Sequence, residues 1–581
     1  MRSYVTKHVE NDCTCSMMGL PRKRLTEIIA AGGVPLVSIE TDKSDGGVRL
    51  HIKRRTLSSQ YVAISHVWSD GMGNPNDNAL PVCQIRRLHQ YLEALPHSGN
   101  RAIDKRAPNL IPSNPLSSKS VLFWMDTLCI PVGSAYVDLR MQSINRMASI
   151  YATAMQVLIL DAELQKCRTK GTLANELLVR ILGSNWMARS WTFQEGALGI
   201  DCIFQFADTA LDPIYAWCES GPACGYKGEV NFPSEGSPDH NTYSVLYTLL
   251  WDRLRQGWKS PLSPRERPVA KPSERLFLEK NIPKIPGLRS IGLVQSALQA
   301  APTASRYDGV AASEHFRRTT SDEGRALQLV EIWNELGCRT TSMTEDIHVI
   351  IANLLDFHAG DVMDPSGKIE RMHAILLSFD YLPFSLFYDT GSKCKDLPNT
   401  WLPVEPSGSS MAQYPLMKRN LDGFLLMKSN SRTHEPTVLL IESNVLDHKS
   451  FHVRKTGQNE SLAIQLFRGE TSSTLPETKS CCLVIETDLF DSSLTKTRGA
   501  LFRVTETKAR FDVVEELRAV YCCPVEELRA VYCCPVEAEK LSSAHVGGMC
   551  IDPDDSVSQV HNAQKVHPST KLVVEYGDLS S

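Results

Sequence analysis

Between Tyr61 and Phe206 the chain repeats one pattern, a short and almost wholly apolar run followed by a longer polar or amphipathic stretch. The runs are Tyr61-Val-Ala-Ile-Ser-His-Val-Trp68, Val121-Leu-Phe-Trp-Met-Asp126, Ala154-Met-Gln-Val-Leu-Ile-Leu160 and Cys202-Ile-Phe-Gln-Phe206. A strand covered on one side alternates in and out of the core, whereas a strand that is apolar at nearly every position is covered on both faces. Between the second and third runs, Leu139 to Thr153 sets Ile144, Met147, Ala148 and Tyr151 at i, i+3, i+4, i+7, which predicts one amphipathic helix. Strand, helix, strand at this spacing is the grammar of an α/β domain with a parallel sheet, its first two runs adjacent.

The rest of the chain reads differently, as expected for 581 residues, too many for one core. Residues 1–55 are expected to be an N-terminal extension with one strand near Gly33 to Ile39, and 56–210 the α/β domain. Residues 211–320 hold Gly/Pro/Ser-rich coil and a Pro-rich run from Pro261 to Pro286, so they read as a linker or insertion. A helical region follows over 321–395, with Ala326, Leu329, Val330 and Trp333 on one stripe and a capping box at Ser342-x-x-Glu345. Five apolar runs separated by polar turns between Leu421 and Glu506 predict a β-rich module over 396–545, leaving 546–581 as a polar tail. Val514-Glu-Glu-Leu-Arg-Ala-Val-Tyr-Cys-Cys-Pro524 recurs unchanged as Val525 to Pro535, two copies where a solenoid needs about three or more.

Several function classes are disfavoured by composition. A net charge of −4 without a long basic block argues against nucleic acid as a partner. The opening residues lack the apolar centre of a signal peptide, and no run reaches the roughly 18 apolar residues of a membrane span, so a cytoplasmic location is expected. Seventeen cysteines are then expected as thiols. No metal site is expected, because neither Cys13-x-Cys15 after His8 nor Cys218 with Cys224 has zinc-site spacing. Phosphate-loop, serine-elbow and H-E-x-x-H patterns are absent, and Gly71-Met-Gly73 lacks a third glycine in register.

Three blocks, in order, resemble the fungal heterokaryon incompatibility (HET) family. They are Tyr61-Val-Ala-Ile-Ser-His-Val-Trp-Ser-Asp-Gly71 with Asn74-Pro75; Phe123-Trp-Met-Asp-Thr-Leu-Cys-Ile-Pro131 with Ile150-Tyr151; and Asn185-Trp-Met-Ala-Arg-Ser-Trp-Thr-Phe-Gln-Glu-Gly196. His66 and Ser69 stand where the commonest family pattern has Tyr and Gly. HET domains in turn look related to Toll/interleukin-receptor (TIR) domains, some of which hydrolyse NAD, and this implies a TIR-like, flavodoxin-like parallel sheet flanked by helices. Trp191 and Glu195 share the Trp-to-catalytic-Glu spacing of plant-type TIR domains, one helical turn apart.

The resemblance implies non-self recognition, with a HET domain that triggers programmed cell death by assembly and signalling through self-association and protein partners. An alternative is a NAD glycohydrolase, with NAD as substrate rather than cofactor, and a third is a degenerate fold without activity. For the enzyme, Glu195 is the candidate catalytic carboxylate and Asp126 a second, because cleaving the nicotinamide–ribose bond develops a ribosyl cation. Ligands of parallel sheets sit at the carboxyl ends of the strands. Ser65, His66, Trp68 and Asp70 after the first strand, with Arg189 and Trp191, are therefore candidate substrate contacts. Each has a plainer reading: sheet-end hydrogen bonding for Asp126 and His66, ion pairing for Glu195 and Arg189, packing for Trp186, Trp191 and Tyr151.

Overall fold

The computed structural model describes residues 5–41, 47–95, 121–199, 202–211, 322–355 and 367–389, residues 57 and 342 excepted, with shorter stretches over 213–250 and 391–575. The chain divides into two compact units, Met1–Thr320 with Cys338–Asp361, and Ser321–Gly337 with Val362–Ser581. The Pro-rich run 261–286 and the Cys218 and Cys224 pair lie outside the described residues. Among the described residues no helix is long and apolar enough to cross a membrane.

The first unit is α/β. Its strands are β1 (Met17–Gly19), β2 (Pro35–Thr41), β3 (Val48–Arg54), β4 (Val62–His66), β5 (Ala79–Pro81), β6 (Phe123–Met125), β7 (Gln156–Leu160), β8 (Thr172–Leu173), β9 (Cys202–Gln205) and β10 (Ala210–Leu211). Seven of these form one sheet in the order β10-β9-β7-β4-β6-β2-β3. The four apolar runs are its parallel centre: β4 pairs with β6 and β7, and β7 with β9. Every residue of β4, β6, β7 and β9 is buried, as double coverage requires.

The expectation of a wholly parallel sheet is corrected at both edges. β2 runs antiparallel to β6 and β3, and β10 antiparallel to β9, so the sheet is mixed. Two of its strands also come from residues 35–54, expected to lie in an extension outside the domain. β3 is half-exposed, and an edge strand exposed on one side carries only a weak apolar signal.

The helices used below are α1 (Arg22–Ala30), α2 (Val82–Ala94), α3 (Asp126–Cys129), α4 (Val137–Asn145), α5 (Met147–Thr153), α6 (Ala174–Leu182), α7 (Asn185–Ala188) and α8 (Ser190–Leu198). The single helix expected over Leu139 to Thr153 is two, α4 and α5, meeting at Arg146. α5 buries Met147, Ile150 and Tyr151 at i, i+3, i+4, and α6 buries Ala174, Leu177, Leu178 and Ile181 in the same way. Tyr61, just before β4, donates its hydroxyl to the Ile150 carbonyl oxygen at 2.6 Å and also contacts Thr153 Oγ1 at 2.9 Å, fastening sheet to helix. Tyr61→Phe keeps the ring and removes that buried bond. It is expected to lower unfolding free energy by about 1 kcal/mol in urea titration, with unchanged circular dichroism.

The second unit contains the β-rich sheet expected in the C-terminal part of the chain. Its nine-stranded sheet opens with Tyr381–Pro383, Leu416–Arg419, Phe424–Leu426, Lys571–Val574 and Val513–Tyr521. It continues with Gly499–Arg510, Ser480–Ile485, Thr437–Glu442 and Gln564–Lys565. Lys571–Val574, expected in a polar tail, sits inside this sheet, parallel to Glu516–Ala519 and antiparallel to Phe424–Leu425. Phe387 lies 5.0 Å from Trp401 and 4.8 Å from Phe502 between ring centroids, the centre of an aromatic core. The expected helix of Ala326 and Trp333 spans Asp322–Gly337, and the Trp333 indole donates to Asp389 at 2.7 Å.

The two copies of the repeat occupy different sheets. Residues 514–521 of the first copy lie in Val513–Tyr521 of the nine-stranded sheet. The second supplies Ala530–Val536 to a four-stranded sheet, paired with Ser461–Phe467 and Lys496–Thr497.

Candidate functional site

The three central strands all end in polar residues at the same edge of the sheet. β4 ends in Ser65 and His66, β6 is followed by Asp126, and β7 by Asp161. Helix α8 brings Glu195 to the same place. It is buried at Ser190 and from Thr192 to Ala197, packed against α5 and against the helix Asp346–Leu354.

Two hydrogen-bonded groups meet there. In the inner one, the Ser65 hydroxyl donates to Glu195 Oε2, and the Trp186 indole donates to Ser65 Oγ at 2.6 Å. The Tyr151 hydroxyl, expected only as part of the core stripe, donates to the Ile64 carbonyl at 3.4 Å and lies close enough to Glu195 to affect its proton affinity. In the outer one, Asp126 accepts from Trp68 Nε1 at 2.6 Å and from the Thr127 backbone N–H at 2.6 Å, and pairs with His66 Nε2 at 2.8 Å. The His66 side chain is 2% exposed and that of Asp126 19%, so the pair faces outward through the carboxylate. His66 Nδ1 is buried with no hydrogen-bond partner among the described residues.

Local turns hold the outer group. Trp68–Asp70 forms a 3-10 turn closed by Gly71 at φ +108°, a left-handed conformation that favours glycine. A Cβ on Gly73 would lie 2.7 Å from the Trp68 ring, so glycine there lets the indole settle against the backbone and reach Asp126. Gly71-Met-Gly73, which matches no phosphate loop, is thus the hinge that seats Trp68. Asp70 Oδ2 accepts the Ala162 N–H at 2.9 Å, tying this turn to the end of β7. Asp161, which the sequence reading missed, accepts the backbone N–H groups of Glu163, Leu164 and Trp186 and so positions α7 below Ser65.

Arg189 and Trp191 are tied to other partners. The Trp191 indole donates to Asp346 at 2.7 Å, and the Arg189 carbonyl accepts from Arg339 at 3.0 Å. Trp191 and Glu195 are one turn apart on α8, yet the indole bonds to the Asp346–Leu354 helix and the carboxylate to the sheet. The α8 helix therefore separates them.

The electrostatics follow from burial and from two carboxylates sharing one edge. Burial pushes the Glu195 carboxyl up to about 7, and Asp126 adds to this, against the pull of Ser65, His66 and Tyr151. Burial would discharge His66, but Asp126, Glu195 and Asp70 outweigh it and raise its pKa. Burial likewise opposes charge on Asp126, yet His66, Trp68 and the Thr127 N–H hold it below the ordinary carboxylate range. The cluster thus pairs a protonatable inner carboxyl with an ionised outer one.

A pH dependence of stability follows. Unfolded, Glu195 loses its proton near 4.5, and folded only near 7. The stability contributed by its protonated form is complete below 4.5 and is lost as pH rises to about 7. His66, also raised, loses its contribution in the same direction above its ordinary 6.5. At about 1.4 kcal/mol per pKa unit, Glu195 alone makes the fold roughly 3 kcal/mol less stable at pH 8 than at pH 4.5. Urea midpoints across that window are expected to fall with pH in the wild type and to flatten in Glu195→Gln. An equal slope in both would contradict the burial of this carboxyl.

One comparison with known proteins finds a similarity at this edge of the sheet. Residues 61–177 match the family model described as Heterokaryon incompatibility protein (HET). That stretch is similar to the HET family. The matched stretch contains Ser65, His66, Trp68, Asp70, Asp126, Tyr151 and Asp161, while Trp186 and Glu195 follow it in the same unit. No curated protein and no solved structure matches the chain.

Proposed function

We propose that this chain is a heterokaryon incompatibility protein of non-self recognition, and that its HET domain kills by hydrolysing the nicotinamide–ribose bond of NAD. The observation that carries this reading is the buried Glu195 carboxyl, raised to about 7 and held by Ser65 at the carboxyl end of the sheet's parallel centre. Burying two carboxylates and an imidazole destabilises a fold unless every group is satisfied, and His66 Nδ1 is not. Such clusters are kept where their altered proton affinity is used.

In this mechanism the ionised Glu195 faces the ribosyl cation that forms as neutral nicotinamide departs. Water adds to the ribosyl carbon and its proton passes to Glu195, giving ADP-ribose, nicotinamide and a proton. Asp126, fixed by Trp68 and His66, supplies a permanent negative charge beside that path. His66, Trp68 and Asp70 are the outer, substrate-facing residues, Ser65 lies buried behind them against Glu195, and Arg189 and Trp191 stand beyond α8. The test is nicotinamide release from NAD by the purified full-length chain, together with loss of cellular NAD on expression. Killing without any fall in NAD would replace this reading with signalling by self-association of the HET domain.

A further inference from the structure

A second cluster of chemistry-bearing side chains lies where the N-terminal arm meets α2. The donor atoms of His8, Cys13, Cys15 and Cys83 all lie within 4.8 Å of one another. Cys15 Sγ is 3.4 Å and Cys83 Sγ 3.6 Å from His8 Nδ1. A tetrahedral zinc with bonds of about 2.3 Å to sulfur and 2.0–2.1 Å to nitrogen has S–N edges of about 3.6 Å and S–S edges of about 3.8 Å. The two sulfur-to-nitrogen edges at His8 match such a tetrahedron, and no donor lies more than 4.8 Å from another.

We propose that His8, Cys13, Cys15 and Cys83 form a structural Zn2+ site of the Cys3His class. Four protein donors close the coordination shell and leave no position for substrate, which is the structural rather than the catalytic form. Three thiolates and an imidazole suit zinc, whereas magnesium and calcium prefer oxygen. Two backbone N–H groups already point at the sulfurs, Val9 to Cys83 Sγ and Cys83 to Cys15 Sγ, both at 3.3 Å. Such bonds orient and stabilise metal-bound thiolates.

The elements explain how the donors converge. β1 pairs antiparallel with β5, Met17 opposite Pro81, which sets the residues before β1 beside the start of α2. Cys83 is the second residue of α2, and Cys15 lies two residues before β1. The metal would thus clasp the arm to the helix, across a gap of 67 residues that no short spacing pattern reports. The same arm reaches the loop behind Trp68: Lys7 N–H donates to the Gly71 carbonyl and Thr6 Oγ1 to the Gly73 carbonyl, both at 2.8 Å.

Elemental analysis of the full-length chain, purified under reducing conditions, is expected to find one zinc per chain. Cys83→Ser should remove it, while Cys167→Ser, at a thiol outside the cluster, should not. Should Cys83→Ser fail to fold, cobalt exchanged into the wild type still decides, through the intense visible bands of a tetrahedral thiolate-rich site. His8→Cys, which keeps four soft donors, should retain the metal and strengthen the sulfur-to-cobalt charge-transfer band. Zinc retained in full by a folded Cys83→Ser, octahedral cobalt spectra, or metal-free protein that takes up no zinc would each overturn the proposal.

Discussion

Glu195→Gln is expected to reduce NAD cleavage by the full-length chain by a factor on the order of 10²–10³ while leaving the fold intact. Gln preserves the shape of the side chain, and its amide can still bond with Ser65, but it brings no negative charge to the ribosyl cation. It also removes the cost of ionising a buried carboxyl, so at pH 8 the variant should be at least as stable as the wild type. That pairing of lost turnover with retained or raised stability separates a catalytic carboxylate from a packing residue, whose loss lowers both. Nicotinamide release and urea titration on the same preparation supply the two readings. A folded Glu195→Gln chain that cleaves NAD and kills like the wild type would remove Glu195 from the chemistry.

Trp186→Ala is expected to have the largest effect on stability. The ring is fully buried, stands edge-on to Phe204 at 5.6 Å, and its N–H holds the Ser65 hydroxyl that in turn holds Glu195. Truncation opens a cavity between α7 and the sheet, for which Trp→Ala losses of about 3–5 kcal/mol are usual. Trp186→Phe keeps most of the packing and removes the N–H, so it should lose about 1–3 kcal/mol. Urea midpoints would order the three proteins. A loss below about 1 kcal/mol for Trp186→Ala would mean that the ring is not a core anchor.

How much of this was legible in the sequence varied with the range over which the information is encoded. Strands β4, β6, β7 and β9 announced themselves because double burial leaves nearly continuous apolar runs. β2 was legible as a strand near Gly33 to Ile39 but not as part of this sheet, since its partner Phe123 lies 86 residues after Val37, and β3 is too exposed to carry a clear apolar signal. Lys571–Val574 carried still less, four residues whose partners all lie more than fifty positions away. At the site, Ser65, His66, Trp68 and Asp126 were readable as strand-end residues, whereas Glu195 was singled out only by the resemblance to TIR domains. Tyr151 was read correctly as core, but periodicity says which way a ring faces and nothing of what its hydroxyl meets. Asp161 was hidden because its work is to accept backbone N–H groups, a role with no spacing signature.

The duplicated segment has a consequence for how the second unit reaches its fold. In the first copy Tyr521 stands opposite Phe502, and in the second the equivalent Tyr532 stands opposite Gln465 and Lys496. Identical residues therefore fill two slots with different neighbours, and nothing within the eleven residues tells one slot from the other. The shared Ala-Val-Tyr, residues 519–521 and 530–532, could form ladder hydrogen bonds in either place, so the copies are expected to compete during folding. Such local ambiguity is what a funnelled landscape ordinarily excludes. What separates the correct threading from the exchanged one is the length of chain left on either side, through the entropy of closing those loops. That entropy changes only slowly with length, so discrimination between the two threadings rests on a shallow gradient rather than on any side chain.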